Sequence, residues 1–416
     1  MENYTVVLFI MAIMIGLSAV AEKFKFPYPI LLIVAGIAIG FAPEVPKIEI
    51  NPEIVFLIFL PPLLYDAAFN ISFTDFKTHI STISTLAITL VFLTTLGIAV
   101  VARYLVPGMT WPLAFVLGAI LSATDAVAAM SITRGLNISH KTNTILEGES
   151  LINDASALVA YRFAVAAVGG ASFILWKASL EFVMLLAGGI VIGSLMSRLI
   201  FLLKFVRQSP MIIISFLLLL PFVTYLLAEE LHVSGVIAVV TLGLSIAFVS
   251  NKVFPDNLKN QSRHIWDIII FMLNGLIFIL IGLQYPYVLK NIPKDQVIPY
   301  LLYALLITVV TLLIRTLRVF MQRSRLKKAL SMKRSRITKE ALLDFRTSLI
   351  ISWSGMRGIV SLAIAIGLPK ELEDGTPFPL RNEIIFISVA VVLFTLLGQG
   401  LTLPWLVKKL SSEKEC

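Results

Sequence analysis

The sequence predicts an all-α polytopic membrane protein of about 13 transmembrane helices, and three observations lead there. Apolar residues make up 58% of the 416 and charged residues only 14%, where soluble domains carry about 25% charged residues. Lysines and arginines gather on alternate sides of the apolar runs, as cytoplasmic loops require. Two of those runs, at corresponding places in the two halves of the chain, are interrupted at mid-membrane by polar residues or glycine, the pattern of broken helices that build a midplane site.

Taking roughly 20 mostly apolar residues per span, the spans fall near 4–21, 28–41, 54–69, 82–101, 111–133, 146–169, 180–203, 211–228, 233–250, 265–284, 297–319, 346–368 and 384–406. No basic leader or small-residue cleavage site precedes the first run, so it is expected to be a true span and not a signal peptide. Spans 2 and 3 are short, and Pro61-Pro62 predicts a kink in span 3. Spans 8 and 9 are separated only by Glu229-Glu-Leu-His232. With the N-terminus outside, 25 of the 34 basic residues fall in inside loops, 11 of them between Arg315 and Arg346, against 7 outside. Arg162 and Arg357 lie within spans. Topology therefore explains the net charge of +9, and no nucleic-acid partner is implied.

The expected organisation is one membrane transport domain over 1–416 with no soluble domain. Residues 1–170 form a first six-helix repeat, 171–210 a connecting span, and 211–407 a second repeat of inverted orientation. The broken crossing helices are span 5, with Thr124-Asp125, and span 12, with Ser354-Gly-Met-Arg-Gly358. The basic segment Arg323 to Lys339 reads either as an interfacial helix against anionic lipid or as a solvated linker. A single cysteine, Cys416, excludes disulfides, and four scattered histidines show no metal-ligand spacing, so no cofactor is expected.

Charged groups within a bilayer are costly and usually mark an ion or proton path. In Glu147-Gly-Glu-Ser-Leu-Ile-Asn-Asp154, helical spacing puts Ser150 and Asp154 on one face with Asn153 and Ser156 beside it. A hard cation such as Na+ takes oxygen ligands, which Asp154, Ser150 and Thr124 supply. One carboxylate would then hold a proton or a cation, never both: burial raises a carboxylate's pKa and a neighbouring cation lowers it. The alternative is a helix–helix hydrogen-bond cluster. Asp125 is either a further ligand or a neutraliser of positive half-helix ends, with Arg357 serving the negative ones. Asp66, late in span 3, reads as an entrance ligand or an interfacial acid. Arg357 is too deep to reach either surface and needs a buried anion. Glu149 is assigned to it as a structural ion pair, with Glu147 the other candidate. Arg162 lies nearer the outer face, where snorkelling suffices.

Five motifs in order resemble the monovalent cation/proton antiporters of the sodium/proton exchanger class, in the branch with an Asn-Asp pair. They are Phe59-Leu-Pro-Pro-Leu-Leu-Tyr-Asp-Ala67, Thr124-Asp-Ala-Val-Ala128, Glu147 to Asp154, Ala228-Glu-Glu-Leu-His-Val-Ser-Gly-Val-Ile-Ala-Val-Val240 and Gly355-Met-Arg-Gly-Ile-Val-Ser-Leu-Ala363. The resemblance implies a six-helix core domain moving against a dimerisation domain, in a homodimer. It makes Asp154 the essential ion-binding acid, with Ser150, Thr124 and Asp66 as ligand candidates and Asn153 as the neutral partner. It also matches Glu149 and Arg357 to the family's buried ion pair. Electroneutral one-for-one exchange of Na+ or Li+ for H+ is expected, with K+ a further candidate cation. Two positions depart from the pattern: Ala126 stands where many relatives have Pro, and Asp66, shorter in reach, where some have Glu. The lack of a targeting signal and of a long tail after span 13 suits a prokaryotic plasma membrane with the C-terminus in the cytoplasm. Rival readings fit less well. A cation channel prefers rings of identical groups, a cation-coupled symporter of an organic anion needs a roomy polar pocket, and an intramembrane enzyme needs a nucleophile or metal motif absent here.

Overall fold

A computed structural model describes residues 3–24, 28–42, 52–133, 136, 138–170, 175–200, 210–253, 256–331, 341–372 and 374–412. Among these residues the chain is helical, without strands beyond one isolated bridge between Glu371 and Pro377. In order, the helices are α1 (Asn3–Lys23), α2 (Tyr28–Gly40), α3 (Pro52–Asn70), α4 (Phe73–Ser84), a π-helical stretch (Thr85–Leu90), α5 (Val91–Leu105), α6 (Trp111–Ile120), α7 (Ala126–Thr133) and α8 (His140–Val168). They continue as α9 (Leu175–Arg198), α10 (Pro210–Glu230), α11 (Gly235–Val253), α12 (Asp256–Lys290), α13 (Lys294–Ser331), α14 (Phe345–Trp353), α15 (Ile359–Ile366) and α16 (Arg381–Ser412). The expected spans overlap helical stretches, spans 5 and 12 the pairs α6/α7 and α14/α15, while 201–203 of span 7 lie outside the described residues. Six of the helical stretches among the described residues are long and apolar enough to cross a membrane.

The chain divides into two compact units. One comprises Met1–Ile50, Thr78–Ala171 and Asn274–Cys416; the other comprises Asn51–Lys77 and Ser172–Leu273. In the second unit α11 packs against α3, α9 and α10. Small residues permit this: a side chain on Gly193 of α9 would strike the Ala238 carbonyl of α11, and one on Gly243 of α11 would strike Ala68 of α3. Lipid offers no hydrophobic drive between helices, so close backbone approach and hydrogen bonds carry the association.

In the first unit α6 lies against both α5 and α8, while α13 packs on α5, α14 and α16. A core of Leu86, Leu90, Ile145, Leu146, Val319, Leu326, Leu343 and Ile351 joins the π-helical stretch, α8, α13 and α14. Helix starts are set locally. Ser139 caps α8 by accepting the Thr142 N–H at 3.3 Å, and Asp344 caps α14 by accepting the Thr347 N–H at 3.3 Å. One helix corrects the sequence reading. α13 runs unbroken for 38 residues to Ser331, and its Arg315 and Arg318 are only 2% and 5% exposed. They belong to the protein interior and not to an inside loop. The stretch from Arg323 to Ser331 continues α13; residues 332–339 of the expected interfacial helix or linker lie outside the described residues.

Candidate functional site

The two interruptions of the first unit cross each other. Between α6 and α7 the chain leaves the helix at Leu121–Asp125, and between α14 and α15 at Ser354–Gly358. The Asp125 N–H donates to the Met356 carbonyl at 2.9 Å, which ties one break to the other. The Asp125 carboxylate then serves two helix starts at once. Its Oδ1 accepts the Ala128 N–H of α7 at 2.9 Å, and its Oδ2 accepts the Ile359 N–H of α15 at 3.2 Å. An anion at two helix N-termini meets two positive dipole ends. Arg357 does the converse: its Nη1 donates to the Ser122 and Ala123 carbonyls, at 2.8 and 3.0 Å, just past the C-terminal end of α6.

That crossing needs two glycines. A Cβ on Gly358 would collide with Asp125 Oδ2, and one on Gly355 with the side chain of Arg315. Gly358→Ala is therefore expected to push Asp125 off its two N–H partners. Overpacking of this kind costs about 1–3 kcal/mol, and a lowered melting temperature in detergent is the measurement that checks it.

α8 passes alongside the crossing and supplies the polar face. Ser150 Oγ donates to the Thr124 carbonyl at 2.9 Å and accepts the Ala126 N–H at 3.4 Å. Asn153 Nδ2 donates to Thr124 Oγ1 at 2.8 Å, and that hydroxyl in turn donates to Glu149 Oε1 at 3.5 Å. Thr124, Ser150, Asn153 and Asp125 thus share one buried constellation with Glu149. Asp154, one residue along, is only 8% exposed. Its Oδ1 has no hydrogen-bond partner among the described residues, and neither has Asn153 Oδ1. The arrangement leaves one buried carboxylate uncommitted beside amide and hydroxyl oxygens, a donor set fit for a hard cation or a proton.

The assigned pairing of Glu149 with Arg357 is corrected. Both carboxylate oxygens of Glu149 are taken by Arg315: Nη1 bonds Oε1 and Nη2 bonds Oε2 at 2.9 Å, while Nε donates to the Ile351 carbonyl at 2.9 Å. Arg357 instead faces the carbonyl end of α6 through its Nη1, and its Nε has no hydrogen-bond partner among the described residues. Arg315 was missed because it lies near the inner limit of span 11. The signal lay in Thr311, Arg315, Arg318 and Gln322, which recur at helical spacing and are all buried. Asp66 lies in the second unit, where its Oδ1 accepts Asn70 Nδ2 at 2.9 Å. Arg162 is half-buried farther along α8, as is Glu147 on the first turns of that helix.

Comparison with known proteins places this geometry. The chain matches the family described as sodium/hydrogen exchanger, transmembrane, over residues 7–409. It is 35% identical over 420 residues to a sodium, potassium, lithium and rubidium/H(+) antiporter of Bacillus pumilus (strain SAFR-032), covering 98% of this chain and 62% of that one. It thus spans less than two thirds of that relative's length. It is 32% identical over 416 residues to the Na(+)/H(+) antiporter ApNhaP of Aphanothece halophytica, covering 98% of this chain and 75% of that one. The structure of the sodium proton antiporter MjNhaP1 of Methanocaldococcus jannaschii at pH 8 superimposes with a TM-score of 0.74 at 23% identity, over 98% of this chain and 99% of that one. The latter is a likeness of fold alone. The family match and the long apolar helices together make the chain an integral multi-pass membrane protein. A match of this extent, on a crossing of two broken helices beside an Asn-Asp pair, means that the chain belongs to the sodium/hydrogen exchanger family.

Proposed function

We propose that the chain is a secondary active antiporter that exchanges Na+ or Li+, with K+ a further candidate, for H+ across a membrane. The observation that carries this reading is the contrast among the three buried carboxylates of the crossing. Asp125 is engaged by two helix starts and Glu149 by Arg315, while Asp154 Oδ1 has no partner among the described residues. An unpaired buried carboxylate must hold something positive to remain in a low-dielectric interior. Asp154 takes either a proton or a cation, Ser150 and Thr124 lend further oxygens to the cation, and Asn153 holds Thr124 in place. Alternating access then exposes the loaded site to one side at a time. Since each guest brings one positive charge, the cycle is electroneutral and one-for-one. Asp66 serves, in the same reading, as an entrance ligand. The excess of basic residues in alternate loops supports an N-terminus outside and a cytoplasmic C-terminus, in a homodimer within a plasma membrane, as the family resemblance implies.

Proteoliposomes with an acidic interior and a trapped pH dye test the proposal. Dye dequenching is expected when Na+ or Li+ is added outside, saturating with concentration, and unchanged when the membrane potential is clamped. Flux that does not saturate would point to a channel. Transport that requires an added organic anion would point to a symporter. Either outcome overturns the reading.

A further inference from the structure

We propose that Thr395 of α16 is a positioning residue for the cation site, acting through the backbone of the break between α14 and α15; the inference rests on the exchange proposed above. Three contacts show that α16 runs antiparallel to the broken helix from the C-terminal end of α15 to the last residue of α14. At its start, Arg381 Nε and Nη2 donate to the Leu368 and Ile366 carbonyls at 3.0 and 3.3 Å, closing the C-terminal end of α15. At its middle, Thr395 Oγ1 accepts the Arg357 N–H at 3.1 Å. Two turns further on, Thr402 Oγ1 accepts Trp353 Nε1 at 2.9 Å, at the last residue of α14. Thr395, Gln399 and Thr402 share one face of α16, since they are spaced by four and three residues. Among the described residues, Thr395 is the α16 side chain that bonds the backbone of the break itself.

Its place within the break gives the bond its reach. The groups on either side of the Arg357 N–H are committed to the opposite crossing chain: the Met356 carbonyl to the Asp125 N–H, and the Ile359 N–H to Asp125 Oδ2. The Arg357 N–H instead goes to α16, so the break is held from both faces. The Thr395 hydroxyl donates its own hydrogen to the Val392 carbonyl at 2.9 Å, which leaves only its lone pairs for Arg357. Thr395 is fully buried and Arg357 is only 2% exposed. From Arg357 the chain of contacts is short. Its guanidinium holds the Ser122 and Ala123 carbonyls, and the next residue, Thr124, is where Ser150 and Asn153 attach. Thr395 touches no transported ion. It fixes the segment that places the ligands, so its removal is expected to weaken cation binding more than it slows turnover.

The test compares Thr395→Val, which keeps the shape and removes the acceptor, with Thr395→Ser, which restores it, and with Thr402→Val, which removes the exposed bond to Trp353. Each is reconstituted at full length, and the apparent KM and Vmax for Na+ are read by dye dequenching, alongside the rise in melting temperature that Na+ produces in detergent. For Thr395→Val an apparent KM raised about tenfold is expected, the effect of one buried hydrogen bond left unmade, with Vmax changed much less. Thr395→Ser should return both to near the wild-type values, and Thr402→Val should leave the KM unchanged. A Thr395→Val protein with wild-type KM, or one that loses Vmax and basal melting temperature while Na+ still stabilises it fully, overturns the inference. So does a serine variant that fails to rescue. Should valine prevent purification, Thr395→Ala reads the same contrast. The two ideas fail separately: wild-type vesicles without exchange refute the antiport reading, whereas the Na+-dependent melting shift still reports whether Thr395 positions the site.

Discussion

Asp154→Asn is expected to reduce cation-driven proton release from acid-loaded vesicles to the background of empty ones, while the protein remains folded. Asparagine keeps the size and one oxygen, and no hydrogen bond of Asp154 Oδ1 exists among the described residues to be lost. What disappears is the charge that neither guest can do without. An ionised group buried without a partner is costly, so the variant should melt at the wild-type temperature or above it. That combination, full stability with no exchange, separates a transport role from a structural one. Variants of Glu149 cannot make the separation, because that carboxylate holds a guanidinium. Normal exchange by Asp154→Asn, read by the same dye, would remove Asp154 from the site.

The second large effect is on stability. Glu149 and Arg315 are 1% and 2% exposed, and their contact is bidentate. Glu149→Gln leaves a buried guanidinium with one amide oxygen and the Ile351 carbonyl but without its counter-charge, and Arg315→Gln leaves a buried carboxylate without its guanidinium. Removing one member of a buried pair typically costs about 3–5 kcal/mol, so each single variant is expected to melt well below the wild type. Replacing both by apolar side chains of similar volume is often neutral. Glu149→Leu combined with Arg315→Met should therefore recover much of what either single change loses. A double variant no more stable than the singles would show that the two residues do not act as a pair. Thermal melting of the purified protein in detergent reads all three.

How much of this was legible in the sequence depended on whether a signal was a matter of composition or of direction. Thr124-Asp125 and Ser354 to Gly358 stand out in apolar surroundings, and both breaks are found where those residues lie. Ser150, Asn153 and Asp154 follow from helical spacing along one element, and α8 is helical throughout. Partnership across elements was not legible. Arg357 and Arg315 are both arginines, and nothing in one sequence says which of them turns toward Glu149. The deciding fact is local: the carbonyl end of α6 points at Arg357 and supplies the negative pole that a carboxylate would otherwise provide. Thr395 was silent for a similar reason, since a threonine in an apolar span is usually bonded to its own helix, as this one also is.

The wide turns at Thr85–Leu90 bear on how this chain can change its length. A π-helical stretch accommodates one residue more than regular α-helix would over the same rise. Deleting a single residue there would restore ordinary winding and leave α5 in phase with what precedes it, whereas the same deletion in regular α-helix would rotate everything beyond it by about 100°. Thr94 and Thr95, buried on the side of α5 where Thr95 reaches the Gly118 carbonyl, would then keep their phase with α6. The stretch is thus a place where this chain can lose one residue without rewriting a helix face.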